Sequence, residues 1–134
     1  QRITESLCEL LANPRFQTIL VLHSNHPNEF DLKVDEACRK LKNAGVLLLN
    51  QSVLLKGIND SPETLATLSE RLFSAGVMPY YLHLLDRVSG AAHFEVNEKD
   101  ASILMKKLQA TLPGYLVPKL VREIPGEAAK TLAG

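Results

Sequence analysis

The chain has 134 residues, 46% hydrophobic and 22% charged, enough for one ordinary hydrophobic core and hardly two. Lys plus Arg and Asp plus Glu both number 15, so no net field draws in nucleic acid or an acidic membrane surface, and neither partner is expected. Cys8 and Cys38 lie too far apart for a C-x-x-C site, and no signal-like or bilayer-length apolar run is present, which points to a reducing, cytoplasmic setting.

The opening Gln-Arg-Ile-Thr lacks an initiator methionine and reads as the interior of a longer protein. Ile3, Leu7, Leu10 and Leu11 recur at helical spacing before Pro14, predicting a first helix that closes near Asn13. Thr18 to Leu22 is a continuous apolar run, which suits a strand covered on both faces. Val34, Ala37, Cys38 and Leu41 mark an amphipathic helix ending at Gly45, where glycine tolerates the left-handed conformation.

The pattern then repeats. Val46 to Leu49 predicts a second strand, and after a turn at 56–60 a helix starts with Ser61 as cap and Pro62 in its first turn. Leu65, Leu68 and Leu72 give that helix its buried stripe, and Gly76 ends it. Val77 to Leu85 is a third strand, in which Pro79 cannot donate to a ladder and so marks a sheet margin or a bulge. Asn97 caps a helix with Ile103, Leu104, Leu108 and Leu112 on its apolar stripe, stopped by Pro113-Gly114. Tyr115 to Ile124 is the fourth predicted strand, and a short polar tail, 125–134, follows the βα units of 1–124.

Strand alternating with helix at this pitch implies right-handed βαβ units and a parallel sheet. A closed eightfold barrel needs about 250 residues, so four strands are at most half of one. Strand edges left bare in such a piece recruit other chains, so a homo-oligomer is expected.

In parallel α/β folds the working residues collect at the C-terminal ends of strands. That rule selects His23, Asn25, His26 and Asn28 after the first strand, and Asn50, Gln51 and Ser52 at the second. It adds Asp86 and Arg87 at the third, Glu123 at the fourth and Lys130 in the tail. Each has a plainer reading. A lone lysine near a terminus is usually solvated, Asp86-Arg87 and Arg122-Glu123 can be local ion pairs, and Gln51 can satisfy backbone groups. His23 and His26 have metal-binding spacing but no third ligand on the same element, and no metal site is assigned.

Five segments narrow these alternatives. They are His-Ser-Asn-His-Pro-Asn-Glu29; Asn-Gln-Ser-Val-Leu-Leu-Lys-Gly-Ile-Asn-Asp60; Pro-Tyr-Tyr-Leu-His-Leu-Leu-Asp86 with Gly-Ala-Ala-His-Phe94; Gly-Tyr-Leu-Val-Pro118; and Pro-Gly-Glu-Ala-Ala-Lys-Thr131. In this order and spacing, from about Thr18 to Thr131, the chain resembles the lysine 2,3-aminomutase family of radical S-adenosylmethionine enzymes. Within that family it is most similar to the branch serving β-lysylation of bacterial elongation factor P.

The resemblance implies the C-terminal half of an incomplete TIM-like radical S-adenosylmethionine barrel, and an isomerase that converts L-lysine to (R)-β-lysine for a separate ligase acting on elongation factor P. Lys130 matches the lysine that bonds to pyridoxal phosphate, which requires a neutral amine and hence burial or a cationic neighbour. Asp86 matches an aspartate that receives the distant ammonium of the substrate. Its partner in the family is also an aspartate, and Glu123 departs from it by one methylene. Gln51 matches a residue near the nucleoside and the cofactor, and Asn25 and His26 match the motif beside S-adenosylmethionine. The family's 4Fe-4S cluster needs a C-x-x-x-C-x-x-C loop, which this sequence lacks, so that loop is expected upstream with the rest of the barrel. The segment alone is expected to be inactive. A non-catalytic oligomerisation or scaffold domain derived from such a barrel is the alternative.

Overall fold

A computed structural model describes residues 18–85, 95–122 and 131–132, the last two by their backbone. Four short strands run parallel in sequential order: β1 (Ile19–Leu22), β2 (Leu47–Leu54), β3 (Val77–Leu84) and β4 (Lys119–Arg122). The crossovers carry α1 (Leu32–Asn43), α2 (Pro62–Ser74) and α3 (Glu98–Thr111). With the strands in order and each crossover right-handed, all three helices fall on one face of the sheet. This is an α/β arrangement of successive βα units, as expected.

Local chemistry sets the helix boundaries. The Asp31 carboxylate caps α1 by accepting from the Val34 N–H at 2.9 Å, Ser61 caps α2 through the Thr64 N–H at 3.2 Å, and Asn97 caps α3 through the Asp100 N–H at 2.8 Å. Gly45 and Gly76 follow α1 and α2 with φ of +87° and +85°, the left-handed conformation that closes a helix.

The core lies between helices and sheet. One cluster joins Leu54, Leu82 and Leu120 of the sheet to Leu65 of α2 and Leu104 and Leu108 of α3. A second joins Leu48 and Val77 to Cys38 and Leu41 of α1 and Leu72 of α2. Along β2, Leu48, Asn50, Ser52 and Leu54 are buried beneath helices, whereas Leu47, Leu49, Gln51 and Val53 face the other side and keep solvent contact. On that helix-free face Ile19 is 52% exposed and Leu47 44%.

The boundaries correct several expectations. β2 runs on to Leu54, so Asn50, Gln51 and Ser52 are interior to the strand instead of at its rim. The fourth strand starts at Lys119, because Gly114–Leu116 forms a 3-10 turn after Pro113. Ile103 is 46% exposed and does not belong to the buried stripe of α3. A short β5 (Thr131–Leu132) adds to β4 antiparallel, with Val121 opposite Leu132 and Arg122 opposite Thr131. Pro79 does mark a bulge: Asn50 pairs with Pro79 and Gln51 with Tyr81, leaving Tyr80 as the extra residue. The helix expected at 3–13 lies outside the described residues. Among the described residues, no helix is long and apolar enough to cross a membrane.

Candidate functional site

β1 stops at Leu22, opposite Asn50, while β2 continues to Leu54. Backbone groups of β2 beyond that point have no strand beside them, and buried backbone groups left unpaired are costly. Side chains take the missing strand's place. Asn25 Oδ1 accepts from the Val53 N–H at 2.9 Å, and Asn59 Nδ2 donates to the Val53 carbonyl at 2.9 Å. Asn59 Nδ2 also donates to the Asn25 carbonyl at 2.7 Å, and Asn59 Oδ1 accepts from the Leu55 N–H at 2.8 Å.

One strand position lower, Asn50 holds the start of the same loop. Its Oδ1 accepts from the Ser24 N–H at 2.9 Å, and its Nδ2 donates to the Ser24 carbonyl at 3.1 Å and to Ser52 Oγ at 3.0 Å. Ser52 Oγ in turn donates to the Ser24 carbonyl at 2.7 Å. Asn50 and Asn59 are 2% and 0% exposed, so these amides serve the protein's own backbone and do not reach solvent.

The loop itself is folded tightly. The Asn25 N–H donates to Glu29 Oε1 at 2.9 Å, and His26 caps the 3-10 turn Pro27–Glu29, its Nδ1 accepting from the Asn28 N–H at 3.1 Å. One ring nitrogen of His26 is therefore engaged within the loop. His23 is exposed. Among the described residues no three His, Cys, Asp or Glu side chains come together as metal ligands.

On the helix-free face Gln51 Oε1 lies 3.2 Å from His83 Nε2, and Tyr81 meets the His83 ring edge-on with centroids 5.7 Å apart. Tyr80 stacks on Tyr81 at 4.0 Å. This aromatic and amide patch lies beside the C-terminal ends of β2 and β3, where ligands bind in parallel α/β folds. His83 escaped the sequence reasoning because it sits inside a strand; its alternation with Leu82 and Leu84 was the available signal.

The site residues expected from sequence thus separate into two groups. Asn25 and His26 lie in the loop after β1, and Gln51 faces the open side of β2. Asp86, Glu123 and Lys130 lie outside the described residues. Asp86 follows the end of β3 by two positions and Glu123 follows β4 directly, and those two strands are paired neighbours.

A fold of this kind is shared with a radical SAM methyltransferase from Sphaerobacter thermophilus, at TM-score 0.61 and 18% identity, over 87% of this chain and 37% of that one. The fold therefore defines the chain as a βα segment of the radical S-adenosylmethionine architecture.

No family model matches the sequence. Individual relatives do. The chain is 55% identical over 132 residues to the L-lysine 2,3-aminomutase of Haemophilus influenzae and 56% identical over 130 residues to that of Escherichia coli. These alignments take in 98% and 97% of this chain but only 39% and 38% of the relatives. The glutamate 2,3-aminomutase of Clostridioides difficile is 36% identical over 132 residues, with 31% of its length covered. The chain belongs to the lysine 2,3-aminomutase family, and it spans less than two fifths of the length of these curated relatives.

Proposed function

We propose that this chain is the part of a pyridoxal phosphate- and S-adenosylmethionine-dependent lysine 2,3-aminomutase that supplies the cofactor-bearing amine and the acids that grip the substrate's far end. The single observation that carries this reading is the register Arg122 opposite Thr131. The residue before Glu123 is paired with the residue after Lys130, so the antiparallel β4–β5 turnback links the two candidate positions that the reaction needs near one another. High identity to two enzymes named for lysine supports lysine over glutamate as substrate.

In this reading the Lys130 amine holds pyridoxal phosphate. Asp86 and Glu123 receive the distant ammonium of L-lysine, since attraction in a partly desolvated pocket must offset removing that charge from water. The same acids repel a substrate that ends in a carboxylate. Asn25 and His26 flank S-adenosylmethionine, and Gln51, with His83 beside it, faces the space between the two cofactors. The amide and imidazole groups of these residues suit hydroxyl, amino and ring-nitrogen partners and leave formal charge to the acids. When bound, the cofactors supply radical generation and electron delocalisation, while the protein fixes positions. The 4Fe-4S cluster belongs to the remaining length of the enzyme. The product, (R)-β-lysine, would serve a ligase acting on elongation factor P in the cytoplasm.

The test uses the full-length protein carrying this segment, loaded with pyridoxal phosphate. It should absorb near roughly 420 nm through lysine-bound cofactor, and Lys130→Ala should lose that band. Asp86→Asn and Glu123→Gln should each raise KM for lysine by about tenfold or more, as expected for loss of a charge-assisted contact. A Lys130→Ala protein that keeps the band removes the assignment.

A further inference from the structure

The loop after β1 is held by side chains that never reach its surface. Asn59 comes from the turn after β2, is fully buried, and spends its whole bonding capacity on three backbone groups: the Leu55 N–H and the carbonyls of Val53 and Asn25. Asn50 and Ser52 clamp both backbone groups of Ser24 from beneath. Ser24 and Asn25 are thus fixed to β2 from two sides, immediately before His26.

The arrangement demands an amide at residue 59. Aspartate would set a negative oxygen against two carbonyls, and an alkyl side chain would leave the Val53 carbonyl and the Leu55 N–H unpaired in a buried place. A lock of this kind fixes a loop without touching what the loop binds, in the way that outer groups orient metal ligands.

We propose that Asn59, supported by Asn50 and Ser52, is a positioning residue for S-adenosylmethionine, acting through the backbone of Ser24 and Asn25. The proposal rests on the reading above that the loop after β1 flanks that cofactor. Pyridoxal phosphate and the lysine ammonium are assigned to Lys130, Asp86 and Glu123, which lie on other segments, so loosening this lock affects one ligand and spares the others.

The experiment measures S-adenosylmethionine binding by equilibrium dialysis, without lysine or reductant, in the full-length cluster-loaded protein and its Asn59→Ala variant. Binding should weaken by about tenfold, the scale of one net buried hydrogen bond. KM for S-adenosylmethionine should rise to match, with KM for lysine and the band near roughly 420 nm unchanged. If Asn59→Ala does not fold, Ser52→Ala, which removes one bond to the Ser24 carbonyl, should weaken binding by roughly threefold with the same selectivity. Dialysis constants equal to wild type in a folded variant would overturn the proposal, as would parallel losses for lysine, cofactor and S-adenosylmethionine, the mark of a general structural effect. Wild-type protein that does not bind S-adenosylmethionine would instead overturn the functional reading beneath it.

Discussion

Asp35 on α1 and Arg71 on α2 meet across the helical layer, with Oδ2 and Nη1 3.6 Å apart. Arg71 also lies over the Phe30 ring, 5.1 Å from its centroid, so one guanidinium ties together the loop after β1 and both helices. Asp35 is 8% exposed, and its other carboxylate oxygen is buried without a hydrogen-bond partner.

Removing Arg71 leaves that carboxylate with Arg39 alone, which approaches to 3.5 Å but has a side chain 66% exposed. Arg71→Ala should therefore cost about 2–4 kcal/mol, because a buried charge loses its principal partner. Arg39→Ala should cost less than about 1 kcal/mol. Urea unfolding of the two variants checks the ranking; equal losses would show that the exposed arginine carries the pair.

Cys38 is 2% exposed, and its thiol is pushed up from 9.0 to about 11, mainly by burial and secondarily by the Asp35 carboxylate, with Arg71 opposing. The folded state keeps this proton where the unfolded chain releases it. The contribution is whole below the unfolded thiol's range and is lost as pH climbs through it toward the folded value. Urea midpoints should fall more steeply between pH 8.5 and 10.5 in wild type than in Cys38→Ala, by roughly 2 kcal/mol at most. At pH 8 iodoacetamide should label Cys38 slowly until denaturant is added.

Gly45 has φ of +87°, and a methyl group there would meet nothing within 4 Å. Gly45→Ala should thus cost only backbone strain, about 1 kcal/mol, and Gly45→Asn less, since asparagine enters the left-handed region more readily. Thermal melts of both variants give the comparison. A loss of several kcal/mol would mean that contacts, and not torsion, set the price.

The open face predicts the behaviour of the segment by itself. With Ile19 and Leu47 half exposed beside an unpaired β1 edge, the isolated 134-residue chain should associate as its concentration rises. Sedimentation velocity should show Leu47→Lys shifted toward monomer. Identical profiles for the two proteins would place the contact elsewhere.

Much of the architecture was legible because its signals are local. Ser61 and Asn97 cap the helices they announce, Gly45 and Gly76 close theirs with positive φ, and Pro79 adjoins the irregularity it suggested. Tertiary pairing was not legible. Asn50 and Ser52 read as a strand end because polar residues interrupt an apolar run, yet they lie inside β2, paid for by Ser24. Asn59 read as one residue of a turn, since nothing in the sequence reveals a bond to Asn25, 34 positions away. β5 is two residues long, too short to carry any periodicity.

Tyr80, the surplus residue in β3, has a consequence for how this chain can vary in length. Side chains of a strand alternate, so an added residue exchanges inside for outside in everything that follows. Because of it, Leu82 points into the helical layer and His83 stands beside Gln51. Deleting that single position would turn the imidazole into the oily interior and the leucine out in its stead. Homologous chains should therefore tolerate many substitutions at this point but no change in residue count, unless a compensating insertion restores the phase before residue 82.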